Sequence, residues 1–556
     1  MCFIQEPGRF SKQIIVRRLI LKTRIKKMIT NKNRSRISRW LAVIWVAASF
    51  TMLSAPEHMA AGPAYPLKIA PGQHYVVDQK GVPFLIQGDS PWYLTEVLNA
   101  SEVDYYLSNR CAQGYNSILL DITELAIPDG ISSNGNLYGQ LPFTSQTGIP
   151  PNTYTNLLSW NTRYFTNVDW VIQRAGYYGI CVFAYPLYDD YGGVGWYAQM
   201  ARNPTNSLYS YGQFIGNHYK NFTNLVWIGV GDYDEPGAPS SCLWNYIAAG
   251  IASTDPNHII SAQAQRPNPA TYYSAFVTYN CSYGSLYPYI ESLANYQRTP
   301  VLASFAREPY YEYSSELGPT ITSLNSRQFA WWAVLSGDMG QFFGNAYQWY
   351  FTNGWQSEMF SPASVTIPYL SKLLNTRRWY NFVPDAGHSV VTAGYGTSGT
   401  VDYITTARES SGATVVAYIP QDGLTPTVAM TNISGTTANA WWYNPQTGAA
   451  TAIGSYPTSG TVTFTPPDSN DWALVLDDAS LNYPPPGGSS LSIKKVGGTL
   501  FQLTTAGPPG QIYTLQSSTN LRSSWQTLGT GTADYSGTVS LQVTGAVPSG
   551  YYRSVP

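Results

Sequence analysis

From Pro83 to Pro384 one pattern recurs: a short apolar run rich in β-branched and aromatic residues, then a stretch with helical periodicity, then another apolar run. The runs are "PFLIQGD" (83–89), "YNSILLDI" (115–122), "ICVFAYPLY" (180–188), "NLVWIGVGD" (224–232), "HIISAQA" (258–264), "FVTYNCSY" (276–283), "TPVLASFAREP" (299–309) and "MGQFFGNAYQW" (339–349). Continuous apolarity suits strands buried on both faces, and helices lying between such strands cover a parallel sheet. Eight such units over about 300 residues, each strand followed by a plausible helix, predict an α/β fold, a (β/α)8 TIM barrel. An open doubly wound sheet that binds a dinucleotide should carry GxGxxG after its first strand; here that position reads "GDSPWY". The first long helix is expected at "SEVDYYLSNRCAQG", with Ser101 and Asp104 resembling a capping box.

Beyond Asp385 the texture changes to short alternating runs such as "TVVAYIP", "NAWWYNP" and "WALVLDD", punctuated by Gly, Pro and Asn, which predicts a β-sandwich. "NYPPPGGSS" reads as a linker, and the remainder as a second small all-β module. At the other end, Lys and Arg crowd residues 9 to 39 before the uncharged "WLAVIWVAASFTMLSA" (40–55). That apolar core is roughly 15 residues, short for a span of about 20, and is followed by small residues, the form of a secretory signal. A retained amino-terminal anchor is the alternative; Met28 would give a more usual start, and cleavage is expected near Ala55 or Ala61. The expected organisation is a leader and signal (1–61), a catalytic barrel (62–385), a β-sandwich (386–480), a linker (481–490) and a small β module (491–556).

Charged residues make up only 11% of the chain and aromatics 14%, so its surface polarity must come from Tyr, Ser, Thr, Asn and Gln, as suits an extracellular, sugar-facing protein. A net charge of -1 gives no basic excess with which to hold nucleic acid or anionic lipid. Cys111, Cys181, Cys242 and Cys281 show no CxxC spacing; buried thiols or a Cys242–Cys281 disulfide are both open.

In a barrel of this kind the functional residues sit where the strands end at their carboxyl termini. Those positions offer Asp89 and Trp92, Asp121 and Glu124, Tyr185 with Tyr188, Asp232 with Asp234 and Glu235, Gln263 and Gln265, Glu308, and Asn345 with Trp349. Carboxylates, amides and aromatic faces are the inventory of glycoside hydrolysis, where one carboxyl protonates the leaving oxygen and another attacks the anomeric carbon. Asp232 and Glu308 are the expected catalytic pair. Asp89, Trp92, Asn116, Asp121, Tyr185, Gln263, Asn345 and Trp349 are expected to contact substrate. Neighbouring acids and a water-poor cleft are expected to raise the pKa of one carboxyl in the "DYDE" cluster. The alternative for Asp234 and Glu235 is that they cap the next helix or solvate a loop. Strict alternation groups Asp232 with Val226, Ile228 and Val230, which could face the helices, so the glycines of "GVG" must break it for Asp232 to enter the site. Glu308 shares parity with Ser304 and Ala306, small residues suited to a crowded interior; Arg307 beside it could be an ion-pair partner, and Glu312 is a weaker rival.

The blocks "PFLIQGDSPWYL", "YLSNRCAQGYNSILLDI", "VDWVIQRAGYYGICVFAYPLY", "NLVWIGVGDYDEP", "TPVLASFAREPYYE" and "RQFAWWAVLSGDMGQFFGNAYQWY" resemble, in order, those of the apiosidase-like glycoside hydrolases of family 140. The β domain after the barrel resembles the collagen-binding-type domain that usually follows it. The resemblance implies a retaining glycosidase acting on apiose-containing pectin side chains. Its "GGD" block matches "GVGD" and puts the acid/base on Asp232; its "GEP" block matches "REP" and puts the nucleophile on Glu308. Arg307 stands where the family usually has Gly, and Gln341 where it often has His.

The expected partner is a polysaccharide or oligosaccharide, with no nucleic acid, no stable membrane insertion after signal removal, a secreted or cell-surface location and a monomeric state. No cofactor or metal is expected. The competing reading is a non-catalytic carbohydrate- or matrix-binding protein, with Trp441, Trp442 and Tyr443 as a stacking platform rather than sandwich core. A peptidase is disfavoured: there is no HExxH or GxSxG, and the five histidines lack metal-ligand spacing, His258 reading as a satisfied core residue.

Overall fold

In the computed structural model the described residues are 63–123, 135–148, 152–189, 195–236, 242–273, 276–283, 286–307, 310–315, 318–488, 491–497, 500–506, 512–518, 525–532, 538–544 and 551–555. The leader and signal expected over 1–61, Glu124 and Glu308 lie outside them. Among the described residues no helix is long and apolar enough to cross a membrane.

All eight expected barrel strands form: β1 (Ile86–Asp89), β2 (Ser117–Asp121), β3 (Cys181–Tyr185), β4 (Leu225–Val230), β5 (Ile260–Gln263), β6 (Asn280–Ser282), β7 (Ser304–Ala306) and β8 (Gly340–Phe343). They pair in the order β6-β7-β8-β1-β2-β3-β4-β5, every pairing parallel. At the remaining seam between β5 and β6, Thr278 donates to the Ile260 carbonyl through its backbone N–H (3.0 Å) and its hydroxyl (2.8 Å), which nearly closes the barrel. Buried residues of the strands divide between two cores, the reason for their unbroken apolarity. Inside, Ile86, Leu119, Phe183, Val226, Ile228, Phe305 and Phe342 pack together. Phe183, Phe305 and Phe342 form a triangle of ring centroids 5.0 to 5.4 Å apart. Gly88 gives the Phe342 ring its space: a Cβ there would lie 2.2 Å from that ring. Outside, Ile118, Leu120, Val182, Leu225 and Trp227 meet the helices.

The main outer helices are α1 (Ala100–Gln113), α2 (Thr162–Tyr177), α3 (Thr205–Tyr219), α4 (Trp244–Thr254), α5 (Tyr289–Tyr296) and α6 (Ser323–Leu335). The capping box of α1 is Asn99 with Glu102, earlier than the expected Ser101 and Asp104; Asn99 accepts from the backbone of Ser101 and Glu102. The Asp104 side chain instead accepts from Arg174 and Tyr178. Between β5 and β6 the described chain forms only the short 3-10 turn Ala270–Tyr272 where a helix was expected. The connection contains Pro267 and Pro269, which remove backbone donors and resist helix continuation.

Past the barrel, β9 (Phe382–Pro384), β10 (Val391–Ala393), β11 (Thr405–Glu409), β12 (Thr414–Ile419), β13 (Thr427–Ala429), β14 (Thr437–Tyr443), β15 (Ala450–Pro457), β16 (Thr461–Thr463) and β17 (Trp472–Asp478) form two antiparallel sheets, ordered β9-β11-β12-β17-β14-β15 and β10-β13-β16. Trp442 and Tyr443 are buried and Trp441 is half-buried against the core, so this stretch is interior and not a platform. Two further three-stranded antiparallel sheets are formed by Leu491–Gly497, Leu500–Ala506 and Thr538–Thr544, and by Gln526–Thr532, Ile512–Ser518 and Tyr551–Val555. Cys111, Cys181, Cys242 and Cys281 are free thiols; Cys242 packs in the outer core and Cys281 in the inner one, so the Cys242–Cys281 bond is absent.

Barrel and sandwich share one apolar core: Phe329, Trp331 and Leu335 of α6 pack with Val416, Tyr418, Tyr443 and Val475, and Trp331 stacks on Tyr418 at 5.2 Å. Two buried arginines fasten the same boundary. Arg327 of α6 makes a bidentate pair with Asp471 (3.0 and 2.8 Å), and Arg377 pairs likewise with Asp477 (3.0 and 2.7 Å). Arg377 also donates to the Pro484 carbonyl at 2.8 Å, so the first part of the expected linker is packed down. Leaving Arg327 buried without its acid should cost about 3–5 kcal/mol. Asp471→Ala is therefore expected to lower the denaturant midpoint sharply and Asp471→Asn to lower it less, as read by equilibrium unfolding.

Candidate active site

The run Leu225–Val230 begins as a regular strand with Val226 and Ile228 turned into the barrel, so of the two orientations open to them they take the interior one. Regularity fails at its end: Val230 has φ 70° and packs in the outer core, and Gly231 has φ 130°. A β-branched residue in the left-handed region is strained, and such strain gathers where the chain must aim a side chain. A Cβ on Gly231 would lie 2.6 Å from the Tyr188 ring, so only glycine admits that ring beneath the turn. The break delivers Asp232 to the barrel mouth.

There Asp232 is held on both oxygens. Oδ1 accepts from Gln263 Nε2 at 2.7 Å and from Arg307 Nη1 at 2.8 Å, while Oδ2 accepts from the Tyr283 hydroxyl at 2.9 Å. The Asp232 backbone N–H donates to the Tyr188 hydroxyl (3.1 Å), which also accepts from Arg307 Nη2 (3.2 Å). Tyr185 donates to Gln263 Oε1 at 2.6 Å and thereby fixes which end of that amide faces the carboxylate. Arg307 is 3% exposed and Asp232 17% exposed, so it is the acid that reaches the open side of the pair. The guanidinium stacks over Trp92 (5.0 Å) and Tyr283 (4.4 Å). Trp92 in turn packs on Tyr185 and Tyr188 and donates Nε1–H to Tyr311 at 2.8 Å, and Tyr311 packs on Trp349 at 5.0 Å. Burial first, and then the charge of Asp232, hold the Tyr188 phenol protonated well above its usual range.

Asp232, Trp92, Tyr185, Gln263 and Trp349 are thus brought into one cluster, and the structure adds Arg307, Tyr188, Tyr283 and Tyr311. Asp121 ends β2 in register with Tyr185, its carboxyl accepting from the Thr123 N–H at 3.0 Å. Three expected contacts lie elsewhere. Asp89 turns to the helix layer, where its carboxylate accepts from Tyr106 and Arg110. Asn116 lies at the amino end of β2 and bridges the backbone of Gln87 and Leu85. Asn345 is buried, capping the turn at Tyr347 and donating to Glu312 at 3.1 Å. Glu312 is itself raised in pKa by burial and accepts from the Ala363 N–H in the first turn of the helix Pro362–Thr366.

Of the acids in this cluster it is Glu235 whose carboxyl burial raises above its usual range. Glu235 accepts from the backbone of Leu243 and Trp244 at the start of α4, and Asp234 from the Gln265 N–H (3.0 Å) and Asn268 (2.7 Å). The groups facing Asp232 are a cation, an amide and a phenol. The parity argument on β7 also fails: Ser304 hydrogen-bonds to Ser282 at 2.9 Å in a polar cluster with Asp338 and α5, while Phe305 and Arg307 take the interior. His258 is a satisfied core residue, bonded to Asp255 (2.7 Å) and the Phe222 carbonyl (2.9 Å). Among the described residues no group of three or more His, Cys, Asp or Glu is placed to hold a metal ion.

A parallel eight-stranded barrel with a fixed carboxylate at the end of its fourth strand, walled by aromatic rings, suits a glycosidase-type enzyme. The model of the apiosidase-like catalytic domain matches residues 70–381, and one for a collagen-binding-type domain of a collagenase matches 383–477. The chain belongs to the apiosidase-like family and is a glycoside hydrolase. A glycoside hydrolase family 5 structure from Bacteroides vulgatus ATCC 8482 shares its fold with a TM-score of 0.66 at 21% identity, covering 76% of this chain and 96% of the other. A structure named "Glycoside hydrolase" gives 0.65 at 20% identity, covering 76% and 100%. No curated protein matches the chain.

Burial pushes the Asp121 carboxyl up to about 7. Because its folded value lies above the unfolded one of about 4, the folded state holds the extra proton between those values and stability falls as pH rises through that window. Asp121→Asn cannot ionise, so its melting temperature is expected to drop less than the parent's between about pH 5 and about pH 8. Parallel thermal unfolding series check this.

Proposed function

We propose that the protein is a secreted, retaining glycoside hydrolase in which Asp232 is the acid/base and Glu308 the nucleophile. The observation that supports this reading most is the placement of Asp232, held by Gln263, Tyr283 and Arg307 in an aromatic mouth at the end of β4. The role of Glu308 comes from its place in the "REP" block alone. In the first half-reaction the Glu308 carboxylate attacks the anomeric carbon, the glycosidic C–O bond breaks and Asp232 gives its proton to the leaving oxygen. In the second, Asp232 takes a proton from water, the water oxygen bonds to the anomeric carbon and Glu308 is released. The ion pair with Arg307 presents Asp232 as the carboxylate needed for the second step; proton donation in the first requires that pair to loosen. Trp349, half-buried at the mouth, supplies a ring against which a sugar can pack, while the buried Trp92 holds Arg307 in place.

The basic and apolar leader supports export, and the family match supports apiose-containing pectin side chains as substrate. The barrel, the sandwich packed on it and the terminal β module are proposed to have the ranges given above, the last of undefined ligand.

Asp232→Asn and Glu308→Gln are each expected to cut turnover on a cleaved pectic oligosaccharide by about 10²–10⁴-fold in protein that still folds, as read by circular dichroism. Near-parental turnover in either variant removes that residue's role. Product anomers followed by NMR at early times should retain the substrate configuration; inversion rules out the double displacement.

A further inference from the structure

Tyr164, Phe165, Val168 and Val171 of α2 turn into the core, which leaves Arg163, Asn167 and Trp170 one above another on an outer flank of the helix. Across from them the segment 136–140 presents Asn136, Tyr138 and Gln140, and the two walls enclose an open cleft of about 440 Å³. Trp170 is 36% exposed and Tyr138 52%, and neither packs on another ring among the described residues. The Arg163 guanidinium forms no ion pair or hydrogen bond there, and the Asn167 Oδ1 accepts none. The walls are nonetheless fixed. Asn136 Oδ1 accepts from the N–H groups of Tyr138 (3.1 Å) and Gln140 (3.0 Å), and the Leu137 N–H donates to the Glu96 carbonyl at 2.6 Å. Asn167 Nδ2 donates to the Thr95 carbonyl at 2.8 Å.

Hydrogen bonds that hold a loop so as to keep a large ring in water forgo the burial of that ring, and such a surface marks a binding site. Two rings with planar amide and guanidinium groups between them suit a sugar, whose C–H face stacks while its hydroxyls bond to the polar neighbours. A peptide strand would call for a free sheet edge and a phosphate backbone for a basic surface; the cleft has no strand in its walls and one cation. We propose that this cleft is a non-catalytic carbohydrate-binding site that holds a polysaccharide chain on the flank of the barrel. It shares no residue with the Asp232 cluster. Both walls follow the carboxyl end of β2, so the cleft opens on the same side of the barrel as the mouth, and a chain tethered there raises the local concentration of its side chains at Asp232.

Binding of the full chain to immobilised pectin, followed by biolayer interferometry in about 0.3 M NaCl to screen long-range charge attraction, tests this. Trp170→Ala and Tyr138→Ala should each weaken binding about tenfold, the worth of one lost ring contact, and Trp170→Phe should recover part of the loss. Trp170→Ala should turn over a short pectic oligosaccharide like the parent, but show a raised KM with the same kcat on the polymer. A parent protein that does not bind the layer overturns the proposal, and so does parental affinity in both ring variants. The two substitutions lie on separate segments, so if one protein fails to fold by circular dichroism the other decides. Lost turnover of the oligosaccharide in folded Trp170→Ala also overturns it, since the ring would then belong to the catalytic cleft. The choice of pectin follows the substrate reading above, but the binding does not need Asp232; the hydrolase reading fails separately, through retained turnover in Asp232→Asn.

Discussion

The mouth of the barrel is organised around the ion pair between Asp232 and Arg307. A charge pair this far withdrawn from water persists only if its remaining donors and acceptors are met. Gln263, Tyr188 and Tyr283 do this, and Trp92 covers the guanidinium. Each partner comes from a different strand end, so the pair requires β3, β4, β5, β6 and β7 to finish at one level. The parallel ladder supplies that level, and the strained turn at Val230 and Gly231 sets the last aspartate into it. Arg307 thus shapes the site itself. Gln341 precedes the interior Phe342 on β8 and does not join the cluster.

The architecture was legible because strands covered on both faces must be apolar throughout, and eight such runs stand out from helical periodicity. That same property hid the orientation of their side chains. With both faces apolar, alternation carries no polar contrast and does not tell that Val226 and Ile228 face the interior while Ser304 does not. The small residues of β7 make room for hydrogen bonding to α5 instead of relieving the interior. Asp89, Asn345 and Glu312 show a second limit: the residue types that bind sugars also cap helices and pair with buried arginines, and spacing does not separate these uses. Tyr283 was discoverable, since Tyr279, Cys281 and Tyr283 share a parity and the first two are interior. The pairing of Arg307 with Asp232, far apart in the chain, left no local signal.

The helix missing between β5 and β6 follows from Pro267 and Pro269, and it has a local effect on charge. A short, proline-stiffened connection keeps Arg266 close to the strand end, between Tyr283 and Tyr310, where a longer excursion could have carried it into solvent. Among the strand-end residues, the two arginines make the mouth less acidic than its carboxylates alone suggest.

The shared core of barrel and sandwich bears on how such a protein can be inherited. Trp331 and its neighbours are finished by a wall of Tyr418, Tyr443 and Val475, and each arginine at the boundary finds its acid on the other side. A gene fusion that exchanged the sandwich for an unrelated module would strand two cations and bare an oily flank of the barrel. The two parts are accordingly constrained to descend as a couple, and recombination breakpoints are tolerable only outside them.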